Sequence, residues 1–203
     1  FPVTIEGAGQ DHSTKGGSRD VSAACLRRIF NGTPPINIPY EFFLVGGAKM
    51  SSSKGLGATA RAMADFLPPE ILRFLILQTP PQRPVNFSPE EKGIVKLYND
   101  FDRCHQRTYH DPAVSVDERA TYLMSATEQA RDGFAAGFQI VSALVQMPHL
   151  DLEAHVAKIK GEALDDWELA RLRGRVKSAR YWVDHFADES EKTVLQAELP
   201  AEA

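Results

Sequence analysis

The stretch Lys49-Met50-Ser51-Ser52-Ser53-Lys54-Gly55 divides the chain into two parts with different sequence patterns. Before it, short β-prone runs such as residues 41–45 alternate with a helical pattern, which predicts an α/β fold. After it, only helical patterns follow. The predicted fold is therefore an α/β part followed by a mainly α-helical part, with helix predominating overall.

In the first part, residues 3–5 are a short strand candidate. A helix follows, with Ser18 as its predicted N-cap and apolar residues at helical spacing until Asn31-Gly32 ends the pattern. Residues 36–38 alternate as a half-buried strand does, and the β-prone run 41–45 comes next.

In the second part, Pro68-Pro69-Glu70 is a helix start, and the apolar positions that follow predict a buried helix. Residues 88–91 have the form of a capping box at the start of another helix. Residues 105–117 are polar and irregular, whereas an apolar stripe predicts a helix over 125–145. The clearest pattern predicts a long helix at about 166–186.

The composition is that of a soluble globular protein, with 203 residues, 43% of them apolar. No apolar run approaches the length of a membrane span, so we expect no membrane association. The two cysteines, Cys25 and Cys104, lack metal-ligand spacing and favour a reduced, cytoplasmic location. The chain begins at Phe1 without an initiator methionine or a signal-peptide pattern, which predicts a start inside a larger protein.

Two ammonium groups, those of Lys49 and Lys54, flank three hydroxyls in the loop at 49–55. At about 4 Å and an effective dielectric near 20, each lysine–phosphate pair is worth on the order of 4 kcal/mol before desolvation. The loop is therefore suited to hold a polyphosphate, although a bare serine-rich run also fits a solvated linker.

The same loop resembles the K-M-S-K-S signature of class I aminoacyl-tRNA synthetases, in the variant K-M-S-S-S-K-G. The resemblance implies that Lys54 and Lys49 are catalytic and bind the ATP phosphates. It also implies ATP contacts from Met50, Ser51, Ser52 and Ser53. Magnesium is implied as a bridge between phosphates, with no metal held by the protein in this segment.

A second element is Gly9-Gln10-Asp11-His12, followed by Gly16-Gly17-Ser18 at a helix start. Glycines let a ligand approach the backbone, and the helix N-terminus favours anions. Beside the signature loop, the element resembles the G-x-D-H element of lysyl and related class I synthetases. That resemblance implies that Gly9, Asp11 and His12 bind ATP, and that His12 and Tyr40 of Pro39-Tyr40-Glu41 bind lysine; the alternatives are turn residues and strand-end packing.

The order of these elements resembles the framework of class I lysyl-tRNA synthetases, strongly to about residue 100 and more weakly beyond. It implies that 1–66 is the C-terminal part of the catalytic domain and that 67–203 is a helical stem-contact and anticodon-binding-type region. The implied partners are ATP, L-lysine and tRNA(Lys), and a monomer is expected. Because the His-Ile-Gly-His signature is absent, the chain alone should be catalytically incomplete without an N-terminal half.

The predicted helix at 166–186 carries Arg171, Arg173, Arg175, Lys177 and Arg180. Its apolar positions face the core, so the cations are predicted to project elsewhere. Arg171, Arg175, Lys177 and Arg180 are candidates for tRNA-backbone contact, because the net charge of −4 leaves phosphate binding to local clusters. An ordinary solvated face is the alternative.

Two rival functions remain. A class I glutamyl- or glutaminyl-tRNA synthetase has the same signature loop and differs in the amino acid it activates. A non-catalytic RNA-binding module, with a vestigial serine loop, belongs to another class. The amino acid that drives ATP–pyrophosphate exchange distinguishes a glutamyl or glutaminyl enzyme from a lysyl enzyme. Salt-dependent tRNA binding without exchange identifies the RNA-binding module.

Overall fold

The structure is a computed structural model that describes residues 3–45, 48–49, 60–90, 93–126 and 130–193. The chain divides into two compact units. The first contains residues 1–59 and 75–87, and the second contains residues 60–74 and 88–203. The division into a catalytic part and a tRNA-contact part at residue 66 concerns function, and it stays a prediction.

The first unit begins with two strands joined through helices. The elements in order are β1 (Ile5–Gly9), α1 (Gln10–Ser13), α2 (Ser18–Arg28) and β2 (Ile36–Tyr40). The two strands pair in parallel, from Ile5 opposite Ile36 to Gly9 opposite Tyr40. Parallel neighbours need a crossover connection, which α1 and α2 supply here.

A second sheet in the same unit has the order β4-β3-β5. Strand β3 (Phe43–Val45) pairs antiparallel with β4 (Ala48–Lys49) and parallel with β5 (Val85–Phe87). The prediction that no strand follows the signature loop is therefore wrong. Strand β5 has only three residues, too few to show an alternating pattern, and it forms because β3 offers a free edge.

Large apolar side chains remain exposed in the first unit, on the strands, on α2 and just after α2. They include Ile5, Val21, Phe30, Ile36 and Ile38. Parallel strands are usually covered on both faces. The β1–β2 pair therefore has an apolar surface that the described residues of this unit do not cover.

The second unit is helical. Its elements are α3 (Ala60–Phe66), the start of α4 (Pro69–Leu77), α5 (Gly93–His110), α6 (Val116–Ser125), α7 (Phe138–Leu144), α8 (Leu152–Lys160) and α9 (Asp166–His185), followed by a 3-10 turn (Glu189–Glu191). The fold class predicted from sequence, α/β leading into a predominantly helical region, is confirmed. No helix among the described residues has the length and apolarity needed to cross a membrane.

The core of the second unit lies between α5, α7 and α9. Ile94, Leu97 and Phe101 of α5 are buried, as their helical spacing predicts. Tyr98 stacks on Phe138 with ring centroids 4.4 Å apart, and its hydroxyl donates to Ser178 Oγ at 3.0 Å. Buried aromatic packing and a satisfied hydroxyl together fix α9 against α5.

The helix predicted over 125–145 is correct only in its last part, where α7 lies. Residues 130–137 have no regular structure, and α7 begins only at Phe138, after the N-cap Gly137. A Cβ on Gly133 would lie 2.6 Å from Trp167 Cζ3, so glycine is needed where this segment crosses the indole. The first part of the apolar stripe lies in this irregular segment, whereas Phe138 and Val141 are buried on helix α7.

The bounds of α5 also bear on two sequence predictions. The helix is described from Gly93, and Glu91 of the predicted capping box at 88–91 lies outside the described residues, so that prediction stays untested. The same helix continues to His110, within a region predicted to be irregular. Polar residues on its solvent side hide the helical pattern there.

Candidate functional site

The carboxyl ends of the parallel strands β1 and β2 bring the predicted ligand residues together. Gly9, the last residue of β1, is the register partner of Tyr40, the last residue of β2. Helix α1 then continues directly from Gly9 and carries Asp11 and His12. Ligands of open parallel sheets bind outside this edge, where the loops after the strands lie.

The Tyr40 ring lies against the backbone of β1. A Cβ on Gly7 would be 3.6 Å from Tyr40 Cε1, an ordinary van der Waals distance, so the ring lies beside Gly7 on the neighbouring strand. Tyr40 is 51% exposed, so its ring is also open to solvent. An aromatic face of this kind can attract an organic cation.

The turn after α1 is tightly closed. A Cβ on Gly17 would lie 2.6 Å from the carbonyl oxygen of His12, which only glycine avoids. Gly16 has a φ of 80°, in the left-handed region that favours glycine. Ser13 Oγ donates to the carbonyl of Gly9 at 3.2 Å and holds α1 against the end of β1.

The first turn of α2 bonds back onto this turn and onto β1. Ser18 Oγ lies 3.2 Å from His12 Nδ1, and the backbone N–H of Gly16 donates to Asp20 Oδ2 at 3.0 Å. Arg19 forms an ion pair with Glu6 and donates from Nη2 to the carbonyl of Gly7 at 3.4 Å. Sequence reasoning missed Arg19 and Asp20, although the acidic residue in the first helical turn was a usable signal.

The predicted N-cap role of Ser18 is wrong. Gly17 is the N-cap of α2, with extended backbone dihedrals and no side-chain cap hydrogen bond. Ser18 is the first helical residue, and its hydroxyl is directed to the His12 imidazole instead.

Most of the signature loop lies outside the described residues. Lys49 is the last residue of β4, and its backbone pairs with Leu44 of β3. Met50, Ser51, Ser52, Ser53 and Lys54 lie outside the described residues, so their predicted contacts with ATP stay predictions. Among the residues described, no group of three or more histidine, cysteine or acidic side chains is placed to hold a metal ion.

The sequence predicted that the cations of α9 all point away from the core. In the structure they do not all do so. Arg175 is 3% exposed; it forms a bidentate ion pair with Asp102 and donates from Nη1 to the carbonyl of Ala136 at 2.6 Å. Arg171 is largely buried, with its guanidinium 4.6 Å from the Trp167 ring centre. Asp102 and the Ala136 carbonyl compensate the desolvation of Arg175, whereas burial lowers the pKa of Arg171. Periodicity alone cannot reveal such contacts.

Arg171 also contacts a buried histidine. Its Nη1 lies 2.8 Å from His105 Nδ1, which is also 3.1 Å from the hydroxyl of Tyr122. Burial, and then the charge of Arg171, lower the pKa of His105 to about 4, against the opposing effect of Asp132. His105 is therefore neutral at physiological pH, with Nδ1 accepting hydrogen bonds.

The remaining cations of α9 are on the surface. Arg173 pairs with Glu153 of α8 at 2.9 Å. Lys177 and Arg180 are exposed. Of the four predicted tRNA-binding residues, these two are accessible, whereas Arg171 and Arg175 lie in the interior of the second unit.

Comparison with known proteins identifies the family. A family model described as tRNA synthetases class I (K) matches residues 1–128, well over half of the chain. The chain belongs to this family of class I tRNA synthetases. The resemblance inferred from the signature loop and the G-x-D-H element is thereby confirmed.

The synthetase chain is also similar to lysine–tRNA ligases of archaea. It is 32% identical over 199 residues to that of Thermoplasma volcanium, covering 96% of the chain and 38% of the relative. It is 32% identical over 193 residues to that of Thermoplasma acidophilum, covering 94% of the chain and 38% of the relative. It is 29% identical over 214 residues to that of Thermococcus kodakarensis, covering 98% of the chain and 40% of the relative. The chain thus spans about two fifths of the length of these relatives.

Proposed function

We propose that this chain is part of a lysine–tRNA ligase, and that the edge formed by Gly9, His12 and Tyr40 is its lysine and nucleotide site. The observation that carries the proposal is the parallel register that puts Gly9 opposite Tyr40. Two motifs separated by almost thirty residues of sequence thus meet at the strand ends, where an α/β sheet binds its ligand.

Lysine recognition in this proposal uses a ring nitrogen and an aromatic face. The ligand ammonium has three donors and no acceptor, so it needs a lone pair or an aromatic face. His12 supplies a ring nitrogen, and the exposed face of Tyr40 supplies a cation–π contact. Both residues lie at the carboxyl end of the β1–β2 pair. Helix α1 and the tight turn after it follow β1 at this end.

ATP binding uses the same edge together with the signature loop. Gly9 lets the nucleotide approach the backbone, and Asp11 accepts from a ribose hydroxyl. Lys49 and Lys54, with Met50, Ser51, Ser52 and Ser53 between them, hold the triphosphate. The lysine carboxylate attacks the α-phosphate in line, and the two ammonium groups stabilise the charge that develops on the departing pyrophosphate.

The residues fit a magnesium ion carried by the substrate. The ion would be held by the phosphates of ATP and would neutralise part of their charge. The protein's own contribution is the pair of lysines and the hydroxyls of the signature loop.

Transfer of the lysyl group to tRNA(Lys) requires contacts with a polyanion. Lys177 and Arg180 are exposed on α9 and are suited to phosphate oxygens. Arg171 and Arg175 support the same helix from inside through Asp102 and His105. They would thus influence tRNA binding by keeping α9 in place.

The activity is assigned to the full-length protein, a cytoplasmic enzyme. The chain spans about two fifths of its relatives, and the His-Ile-Gly-His signature is absent from it. The exposed apolar residues of β1 and β2, among them Ile5, Ile36 and Ile38, suit a catalytic sheet that further polypeptide covers.

The test is amino-acid-dependent ATP–pyrophosphate exchange by the full-length protein. Lysine should support exchange, whereas glutamate and glutamine should not. Exchange with glutamate or glutamine would contradict the proposal and would identify a glutamyl- or glutaminyl-tRNA synthetase instead. Absence of any exchange, together with salt-dependent tRNA binding, would indicate an RNA-binding module.

A further inference from the structure

We propose that Ser18 is a positioning residue for lysine recognition, which fixes the proton on Nδ1 of His12 so that Nε2 offers its lone pair to the substrate ammonium. The inference rests on the proposed function of the His12 site. It adds a residue on α2 whose only polar contact with that site is to the imidazole, at 3.2 Å.

The backbone of His12 is already fixed by other contacts. Gly17 lies against its carbonyl, and Ser13 Oγ ties α1 to the carbonyl of Gly9. The His12 side chain is exposed, so close packing does not define the rotation of its ring. A hydrogen bond to Nδ1 is therefore the contact that can select one ring orientation and one tautomer.

Each residue of the first turn of α2 bonds to a different part of the site. Arg19 holds Glu6 and the Gly7 carbonyl, and Asp20 holds the Gly16 amide. Two of these three contacts are to the backbone, and the third is to the Glu6 carboxylate, which has no assigned ligand role. Ser18 alone among the three contacts a side chain assigned to the ligand, which separates its role from that of the others.

The chemistry of the ligand decides the direction of the hydrogen bond. A neutral imidazole has one N–H donor and one acceptor nitrogen. If Nδ1–H donates to Ser18 Oγ, Nε2 is an acceptor and matches an ammonium. If Ser18 donates instead, Nε2 carries the proton. The partial positive charge of this N–H group then faces the ammonium and weakens binding.

The first experiment measures lysine-dependent ATP–pyrophosphate exchange in the full-length protein. Ser18→Ala should raise the KM for lysine about tenfold, the effect of one ordinary hydrogen bond, with the KM for ATP unchanged within about twofold. Ser18→Thr keeps the hydroxyl and should restore the lysine KM. Ser22→Ala, one turn further along α2 and also exposed, is the matched control and should leave both constants unchanged.

A double-mutant cycle separates positioning from a structural effect. Because Ser18 acts through the imidazole, Ser18→Ala should add nothing in a His12→Ala background. Equal effects of Ser18→Ala with and without His12 would overturn the inference. An unchanged lysine KM in Ser18→Ala would overturn the inference as well. In either case the proposed function stands as long as the unsubstituted protein shows lysine-dependent exchange.

A spectroscopic readout keeps the inference testable if Ser18→Ala folds poorly. Selective ¹⁵N-histidine labelling of the unsubstituted protein reports the tautomer of His12, whose signals are assigned by their loss in His12→Gln. The Nδ1–H tautomer is expected, and the Nε2–H tautomer would refute the inference. Absence of lysine-dependent exchange in the unsubstituted protein would instead remove the proposed function on which it rests.

Discussion

Arg175 and Asp102 form a bidentate ion pair in the interior of the helical unit, joining α9 to α5. The guanidinium is 3% exposed and also donates to the carbonyl of Ala136, in the irregular segment before α7. One side chain thus satisfies acceptors from two parts of the unit. Removal of Arg175 would deprive the Asp102 carboxylate of its bidentate partner and leave it with the more distant Nη2 of Arg171, at 3.9 Å.

Arg175→Ala should therefore destabilise this chain by about 3–5 kcal/mol. The measurement is urea unfolding followed by the fluorescence of Trp167 and Trp182, both in the second unit. Arg173→Ala is the matched control, since its ion pair with Glu153 is exposed and should cost at most about 1 kcal/mol. Equal losses for the two variants would show that the interior pair has no special role.

Gly133→Ala should lower stability by about 1–3 kcal/mol, because the new methyl group would lie 2.6 Å from Trp167 Cζ3 and displace the indole. A shift in Trp167 fluorescence should accompany the loss. Gly137→Ser provides the contrast, since space is open at Gly137 and serine is favoured at an N-cap. A neutral Gly133→Ala would mean that the segment can move away from α9.

His105 should make stability depend on pH. Its pKa falls from 6.5 to about 4 in the folded chain, so between these values the unfolded state binds a proton that the folded state does not. Stability is therefore full above about pH 6.5 and declines as the pH falls to about 4, by at most about 3 kcal/mol. His105→Gln, which keeps an acceptor for Tyr122 and Arg171, should lack this decline.

The pH effect is measured as the difference in unfolding free energy between His105→Gln and the unsubstituted chain. That difference should shrink as the pH falls from 7 to 4, because other titrating groups contribute equally to both. His149→Asn, at an exposed position with a φ of 63°, should give a curve parallel to the unsubstituted chain. Parallel curves for His105→Gln would contradict the prediction.

Lys54→Ala in the full-length protein should lower the rate of adenylate formation by about two to three orders of magnitude, like the loss of a preorganised transition-state donor. Single-turnover adenylation with lysine and ATP measures it. Lys158→Ala, on the exposed surface of α8, should have no effect. Near-normal adenylation by Lys54→Ala would exclude this ammonium from the phosphate site.

Strong periodicity predicted the elements that position both candidate sites. The apolar residues Leu172, Val176 and Ala179 recur at helical spacing and identify α9, and the alternation of Ile36 and Ile38 identifies β2. The sequence predicted that Gly9 binds ATP and that Tyr40 binds lysine with His12, and the parallel register puts Gly9 opposite Tyr40. Local pattern was sufficient here because neighbouring residues determine the element.

Long-range partners account for what the sequence did not predict. In the sequence, Arg171 and Arg175 have the spacing of a solvated helix face. Their partners His105 and Asp102 lie on another helix and cannot be identified from that spacing. Strand β5 depends on the edge of β3, distant in sequence. The contact of Ser18 with His12 depends on the turn geometry that Gly16 and Gly17 permit.

The chain passes between its two units three times, at residues 59–60, 74–75 and 87–88. Strand β5 returns to the first unit after α3 and the start of α4 have contributed to the second. A protease that cleaved only between β4 and α3 would therefore leave β5 paired with β3, and the severed pieces would separate only when that pairing was broken. The first unit is therefore built from two stretches of chain separated in sequence, and β5 joins the second stretch to the first by pairing with β3.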